Sequence, residues 1–456
     1  MGSKPIRRNI ALSAAAFAFL LAPAAVGQTP LSLRQAVSMA LEKNPQRRMA
    51  VADQHAAEAG VQEARSGLLP RVSFTESATR GNDPVYVFGT RLRQERFTVA
   101  DFALNRLNTP TPIGNFSSRF SGNWSLFDSF ANLKSVARAK DLRQAAGHQL
   151  ERADQETIFR VVQAYLGLLL AQKEQDVAEQ SVKTAQSILD RSQARYQSGV
   201  VVQSDLLSAQ VRLASRQEEL IRARSNLAFA AAQLDTAMGV PADTEFQPSQ
   251  GLSEGALPQA ALADLETRAL ASRPDLKQIA AQHTAQEKSV SIAKSAFGPK
   301  LNAFGGWETE SATLSQVQGN NWVAGLELQL DLFQGGARKA QLTRERALQE
   351  RIAAAHQAAA DQVRLEVRRA YYDFDSARQQ VVVGQAAVGQ AEESMRINQN
   401  RYDAGITTIT DLLTIEEATR RTQTGYWEAV YRLRTSYANL ELATGTLSAS
   451  SAVIQP

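Results

Sequence analysis

The 456-residue sequence contains no cysteine. That excludes disulfides, thiolate metal sites, cysteine nucleophiles and a lipid-modified N-terminal cysteine. Aromatic residues are sparse, at 7%. Neither sign of charge dominates, since 50 Lys+Arg stand against 46 Asp+Glu for a net +4, which gives little ground for a nucleic-acid partner. Downstream of the N-terminal segment no stretch reaches the ~18 consecutive apolar residues of a membrane helix. The best, Val161 to Ala171, is broken by Gln163. Any passage of the mature chain through a membrane must therefore use a closed β-barrel.

What is present is helix-forming. Ala, Gln, Arg, Glu and Leu dominate, which favours long helices over a sandwich of sheets. The first residues read as an export signal. Lys4, Arg7 and Arg8 precede an apolar run from Ile10 to Leu21, and Ala25-Val26-Gly27 places small residues at a cleavage site. Residues 1–27 are expected to be a signal peptide, with a mature start near Gln28. Its three basic residues take the mature charge from +4 to +1.

The chain repeats itself. A shift of 206 places Leu126-Phe127 on Leu332-Phe333, and Ala164-Tyr165 on Ala370-Tyr371. It also places Arg195-Tyr196-x-x-Gly199 on Arg401-Tyr402-x-x-Gly405, and Asp205-Leu206-Leu207 on Asp411-Leu412-Leu413. Upstream the shift is 229, aligning Asn44-Pro45 with Arg273-Pro274 and Pro70 with Pro299. The two shifts differ by 23 residues, an insertion in the first half between Pro70 and Phe127 that includes the segment from Gly81 to Asn115. This is a two-fold duplication and not a solenoid. The expected organisation is a first repeat at 28–240, a linker or equatorial segment at 241–260, a second repeat at 261–446 and a tail at 447–456.

Each half orders its elements alike. A helical segment (about Leu33 to Leu68, and Leu262 to Phe297) ends at proline. A strand, a loop and a strand follow. A helix of about 65 residues, on the order of 100 Å, then runs to a break at Gly199 or Gly405, and a returning helix ends near Gly239 or Gly445. Ile158, Val161, Val162, Tyr165, Leu166 and Leu169 form a narrow seam at helical spacing. Strands are expected at about 71–79, 115–127, 301–309 and 321–333. They alternate, with Phe116, Phe120, Trp124 and Leu126, or Trp322, Leu326 and Leu328, on one face and polar residues on the other. Four strands cannot close a barrel, so the chain must share one with its copies, and it thereby contacts outer-membrane lipid.

The quoted repeat motifs, the opening pattern Leu33-Arg34-Gln35-Ala36-Val37 and the junction Leu332-Phe333-Gln334-Gly335-Gly336 resemble those of the TolC-type outer-membrane efflux family. The resemblance covers essentially the whole mature chain. It implies a mainly α fold with a β-barrel part: a helical-hairpin tunnel and a twelve-stranded barrel shared by a homotrimer. It also implies a periplasmic adaptor and an inner-membrane transporter as partners. The expected function is a passive exit duct for small molecules or metal ions. Type I protein secretion is one alternative, and a non-pore periplasmic coiled coil another.

The resemblance places the adaptor-docking tip at Arg195, Tyr196 and Gly199 and at Arg401, Tyr402 and Gly405. Asp411 matches a member of the archetype's acidic gate ring, whereas the position three residues on is Thr414 here and Ser208 in the first repeat. Asp205 and Asp411 therefore carry two readings, a pore role and helix N-terminal capping. Histidines 55, 148, 283 and 356 are scattered without ligand spacing, and no cofactor or catalytic constellation is expected. The pairs Glu218-Glu219 and Glu416-Glu417 read as solvated helix faces.

Overall fold

The computed structural model describes residues 29–244 and 246–455. The expected signal peptide lies outside these residues. In chain order the elements are β1 (Thr29–Leu31), α1 (Leu33–Lys43), α2 (Pro45–Ser66), β2 (Arg71–Gly81), α3 (Pro84–Arg93), a 3-10 turn (Val99–Phe102), α4 (Leu104–Asn108), β3 (Ile113–Phe127), α5 (Ala131–Gln197) and α6 (Gln203–Met238). The second half has β4 (Phe246–Pro248), α7 (Leu262–Ser272), α8 (Pro274–Ser295), β5 (Lys300–Ser311), β6 (Asn320–Gln329), α9 (Ala337–Asp403) and α10 (Ile409–Ala443).

The expected helical segment at the start of each half is two helices. Asn44 and Arg273 take extended backbone, at φ −61°, ψ 126° and φ −58°, ψ 125°. The proline that follows disfavours the helical region for its predecessor, and then starts the next helix at its first position. Each break seats against a glycine that ends a returning helix. A Cβ on Gly239 would lie 2.8 Å from the Asn44 backbone, and one on Gly445 2.8 Å from that of Arg273.

The helices α5 and α9 each span 67 residues. The seam expected on α5 is buried: Val161, Val162 and Leu166 are fully enclosed, with Ile158, Tyr165 and Leu169 beside them. It packs with Leu33, Val37 and Ala40 of α1, Val363, Val367 and Phe374 of α9, and Val430, Leu433 and Ala438 of α10. The segment 241–260 is more than a linker, since β4 pairs in parallel with β1 and Tyr165 donates to the Leu31 carbonyl at 2.9 Å. The C-terminal tail is docked as well. Leu447, Val453 and Ile454 are buried, and Arg434 donates to the Val453 carbonyl at 2.7 Å.

Four strands form one antiparallel sheet in the order β2-β3-β5-β6. Three extend beyond their expected ends. The fourth, expected to reach Phe333, stops at Gln329, whose partner is Lys300. Pro299 precedes Lys300 and has no N–H for the ladder, so Leu330 to Phe333 continue without a strand partner among the described residues. The register sets Phe74, Phe120, Trp307 and Trp322 side by side across all four strands. This aromatic row lies on the face that carries Val72, Trp124, Ala303 and Leu326. The other face carries Ser121, Arg119, Glu308 and Asn321. All four helix connections leave one end of the sheet, and the insertion leaves the other.

Candidate functional site: the helical tip and the far end of the sheet

The break between long and returning helices is built the same way in both repeats. Gly199 and Gly405 have φ of +71° and +74°, a region glycine enters without strain. The Gly199 N–H donates to the Tyr196 carbonyl and the Val200 N–H to that of Arg195, each at 2.9 Å. Gly405 and Ile406 repeat this on Tyr402 and Arg401 at 3.0 and 2.9 Å. This is the helix-ending motif in which a left-handed glycine turns two amides back onto the last carbonyls. It accounts for the Arg-Tyr-x-x-Gly spacing.

The side chains of the two motifs differ in environment. Tyr402 is 2% exposed and Tyr196 41%. The Arg195 guanidinium lies over the Tyr402 ring, 5.0 Å from its centre. It donates to the Tyr402 carbonyl and, at 3.2 Å, to that of Asp403. Ser192 and the Tyr402 hydroxyl share a hydrogen bond of 3.0 Å, and Arg191 pairs with Asp403 at 2.7 Å. Arg401 and Tyr196 are exposed. The structure thus brings Arg195 and Tyr402 together and leaves their repeat counterparts apart.

The two acids at the start of the returning helices also differ. Asp411 sits three residues after the N-cap Thr408, in a reciprocal capping box: its carboxylate accepts from the Thr408 hydroxyl at 2.6 Å and amide at 3.2 Å, and from Thr407 at 3.1 Å. The Thr408 hydroxyl, then its amide, then Thr407, hold the Asp411 carboxyl below the usual carboxylate range. In the first repeat the N-cap is Val202, which offers no side-chain oxygen, and Asp205 makes no such bond. Thr414 and Ser208 each donate their hydroxyl to a carbonyl one turn back, at 2.8 and 2.9 Å.

Above the tip lies a cluster that the sequence reading missed. Arg216 is 1% exposed and reaches Glu416, which is 4% exposed, and also Glu417 and Glu219. Glu416-Glu417 is therefore no solvated face. Its carboxylates meet a buried guanidinium from a helix 200 residues earlier in sequence. Burial alone would raise the Glu417 pKa, but Arg420 and Arg216 outweigh it and bring it to about 2. The pairing of α6 with α10 carried no local signal, because each residue reads alone as an ordinary helix charge.

At the far end of the sheet the insertion folds on itself. Phe97 packs between Phe88 and Phe102, at 4.8 and 5.1 Å between ring centres. Asp101 holds Arg91 and Arg106. The insertion is pinned to the polar face of the sheet. Arg93 donates to Glu310 at 3.1 Å, and buried Gln94 to Asn115 at 2.8 Å and the Gly114 carbonyl at 3.1 Å. Asn115 donates in turn to Glu310 at 3.0 Å, and Arg119 pairs with Glu308 at 2.6 Å.

A paired helical tunnel segment joined to a four-stranded sheet with one apolar face defines a TolC-type channel protein, not an enzyme. Residues 36–240 and 265–446 match the model of the outer membrane efflux protein family. The chain belongs to that family. It is similar to the alkaline protease secretion protein AprF of Pseudomonas aeruginosa, 24% identical over 428 residues that cover 91% of this chain and 85% of that one. It is also similar to the pyoverdine export outer membrane protein OpmQ of the same species, 24% identical over 412 residues, 88% of this chain and 81% of that one. Among solved structures, the Campylobacter jejuni CmeC outer membrane channel aligns with a TM-score of 0.77 at 20% identity, covering 97% of this chain and 95% of that one.

Proposed function

We propose that three copies of this chain form a passive outer-membrane exit duct for small molecules or metal ions, fed by an inner-membrane transporter through a periplasmic adaptor. The observation that carries this reading is the sheet. Its strands β2 and β6 are unpaired on their outer sides among the described residues, and its apolar face bears the aromatic row. Open edges are not tolerated in lipid, so copies must close the barrel. Two copies would give eight strands, whose interior side chains fill it; three give twelve and a lumen. The polar face, with Arg119, Glu308, Asn123 and Glu327, then lines that lumen.

In this organisation the repeats 28–240 and 261–446 alternate around the tunnel, and 241–260 forms an equatorial belt. Residues 1–27 direct export. The tips around Gly199 and Gly405 dock the adaptor, and Asp205 and Asp411 ring the periplasmic entrance. Likeness to OpmQ, a pyoverdine exporter by name, supports small-molecule cargo. Likeness to AprF, a protease secretion protein by name, supports type I secretion as the second reading.

The test has two parts. Purified protein should be trimeric and should conduct ions across a planar bilayer; a monomer that is soluble without detergent and fails to conduct would overturn the duct. A strain lacking the protein should become sensitive to toxic small molecules or metals. Loss of a secreted protein from the medium, with unchanged sensitivity, would favour the secretion reading.

A further inference from the structure

The polar face of the sheet is interrupted by an aromatic ring. Phe304 of β5 lies between Asn123 of β3 and Gly325 of β6 in the register, and it stays 38% exposed. Its ring leans over β6, where a Cβ on Gly325 would lie 2.6 Å from a ring carbon. Gly325 therefore makes room for the ring. Two residues on from Phe304, Gly306 shares the same face, between Ser121 and Val323. A Cβ there would meet no atom closer than 3.6 Å, so no neighbour among the described residues requires this glycine. Glycine inside a strand weakens it, and marks a place where something else approaches closely. A cavity of about 400 Å³ opens at this point, bounded by Phe304, Gly306, Asn123, Glu308, Arg93 and Arg119.

The other end of the cavity is cationic. Glu308 stands four residues from Phe304 along β5, about 13 Å away, and its carboxylate meets Arg119 at 2.6 Å and Arg93 at 3.8 Å. Arg93 also meets Glu310 at 3.1 Å. The charges are paired but not level. The carboxylates of Glu308 and Glu310 are 16% and 2% exposed, whereas the guanidiniums of Arg93 and Arg119 are 60% and 52% exposed. The cavity therefore presents the positive groups. Arg93 uses only Nη1 in these pairs and Arg119 only Nε and Nη2, which leaves N–H groups on both to donate. We infer that this cavity binds an aromatic anion, its ring laid on Phe304 above Gly306 and its carboxylate or equivalent group held by Arg93 and Arg119. Arg93 comes from α3, so the insertion completes the site. The inference rests on the duct, whose lumen the polar face lines, and it names a class of small molecule that the duct carries. Half-exposed groups hold such a ligand weakly, as passage requires, since tight binding would stop it.

The test uses naphthoate as the probe, with the full-length channel in a planar bilayer. Naphthoate should lower the wild-type conductance saturably. Its half-blocking concentration should be about tenfold below that of naphthylmethanol, which lacks the charge, and of decalincarboxylate, which lacks the aromatic faces. Phe304→Leu keeps apolar bulk without an aromatic face. It should weaken block by naphthoate severalfold and leave block by decalincarboxylate unchanged. Gly325→Val should do the same by displacing the ring. Arg93→Gln should weaken block by both acids and spare that by the alcohol. A conducting wild-type channel that the three probes block equally, or not at all, overturns the site and leaves the duct standing. Undiminished block of Phe304→Leu by naphthoate overturns the role of the ring. Protein that does not conduct overturns the duct, and the site with it.

Discussion

Arg216 of α6 and Glu416 of α10 form a buried two-pronged pair, with guanidinium nitrogens 3.0 and 2.7 Å from the two carboxylate oxygens. The pair joins the returning helices of the two repeats, which otherwise touch little. Glu417 beside it also meets Arg216, Arg212 and Arg420, so the cluster is a small network. Removing one partner of such a pair leaves a buried charge uncompensated. Arg216→Met should cost about 3–5 kcal/mol, seen as a lower melting temperature of the detergent-solubilised protein. Adding Glu416→Leu to Arg216→Met should restore most of it. Equal destabilisation by the single and double variants would show that the pair is not coupled.

Asp205 and Asp411 should separate into different roles although the repeat equates them. Asp411 serves its helix through Thr408, so Asp411→Ala should lower the melting temperature of the detergent-solubilised protein. Asp205 lacks a hydroxyl N-cap and should be nearly neutral for stability when changed to Asn. Its carboxylate, free of capping bonds, should attract cations at the entrance. Asp205→Asn should therefore reduce cation selectivity at low salt more than Asp411→Asn does, measured as reversal potential in a bilayer. Equal effects of the two variants on selectivity would sink this distinction.

Much of this asymmetry was legible in the residues. Val202 and Thr408 stand at equivalent repeat positions and differ in chemistry. The duplication, the long helices and the alternating strands were legible too, because period and spacing survive in one dimension. Helix breaks at Asn44 and Arg273 were weaker signals, since each half reads as continuous until the effect of the following proline is considered. The Arg216 network was hidden for another reason. Which faces of two long, polar helices meet depends on their crossing and axial offset, and neither is encoded by local pattern. The insertion was likewise undecided: Phe88, Phe97 and Phe102 promise a cluster, but only Gln94 and Arg93 reveal which face of the sheet it covers.

In the duct proposed above, that placement would set the insertion over the exit, where it narrows the lumen. Gln94 is 2% exposed, and its amide serves two acceptors near the end of β3. Removing it leaves buried acceptors unpaired, at about 1–3 kcal/mol. Arg93→Ala with Gln94→Ala should release the insertion from Glu310 and Asn115. Trypsin should then cut at Arg91, Arg96 or Arg106 severalfold faster in intact cells, and single-channel conductance should rise. Unchanged cleavage and conductance would mean that the pins do not hold the insertion over the lumen.

The last expectation concerns pH. Asp235 and Glu441, offset by 206, lie near the ends of α6 and α10. Burial pushes Asp235 from 3.8 to about 6, and Glu441 from 4.5 to about 7. An acid whose pKa is raised by folding favours the folded state while it is protonated. Its contribution is full below the unfolded values and is lost as pH climbs through the folded ones. Melting temperature should therefore fall between about pH 4 and pH 7, by an amount corresponding to ~3 kcal/mol per site at most. The ion-paired Glu417, at about 2, titrates below this window. Asp235→Asn combined with Glu441→Gln should flatten the slope and raise stability at pH 8. A slope that persists in the double variant would assign the pH response to other groups.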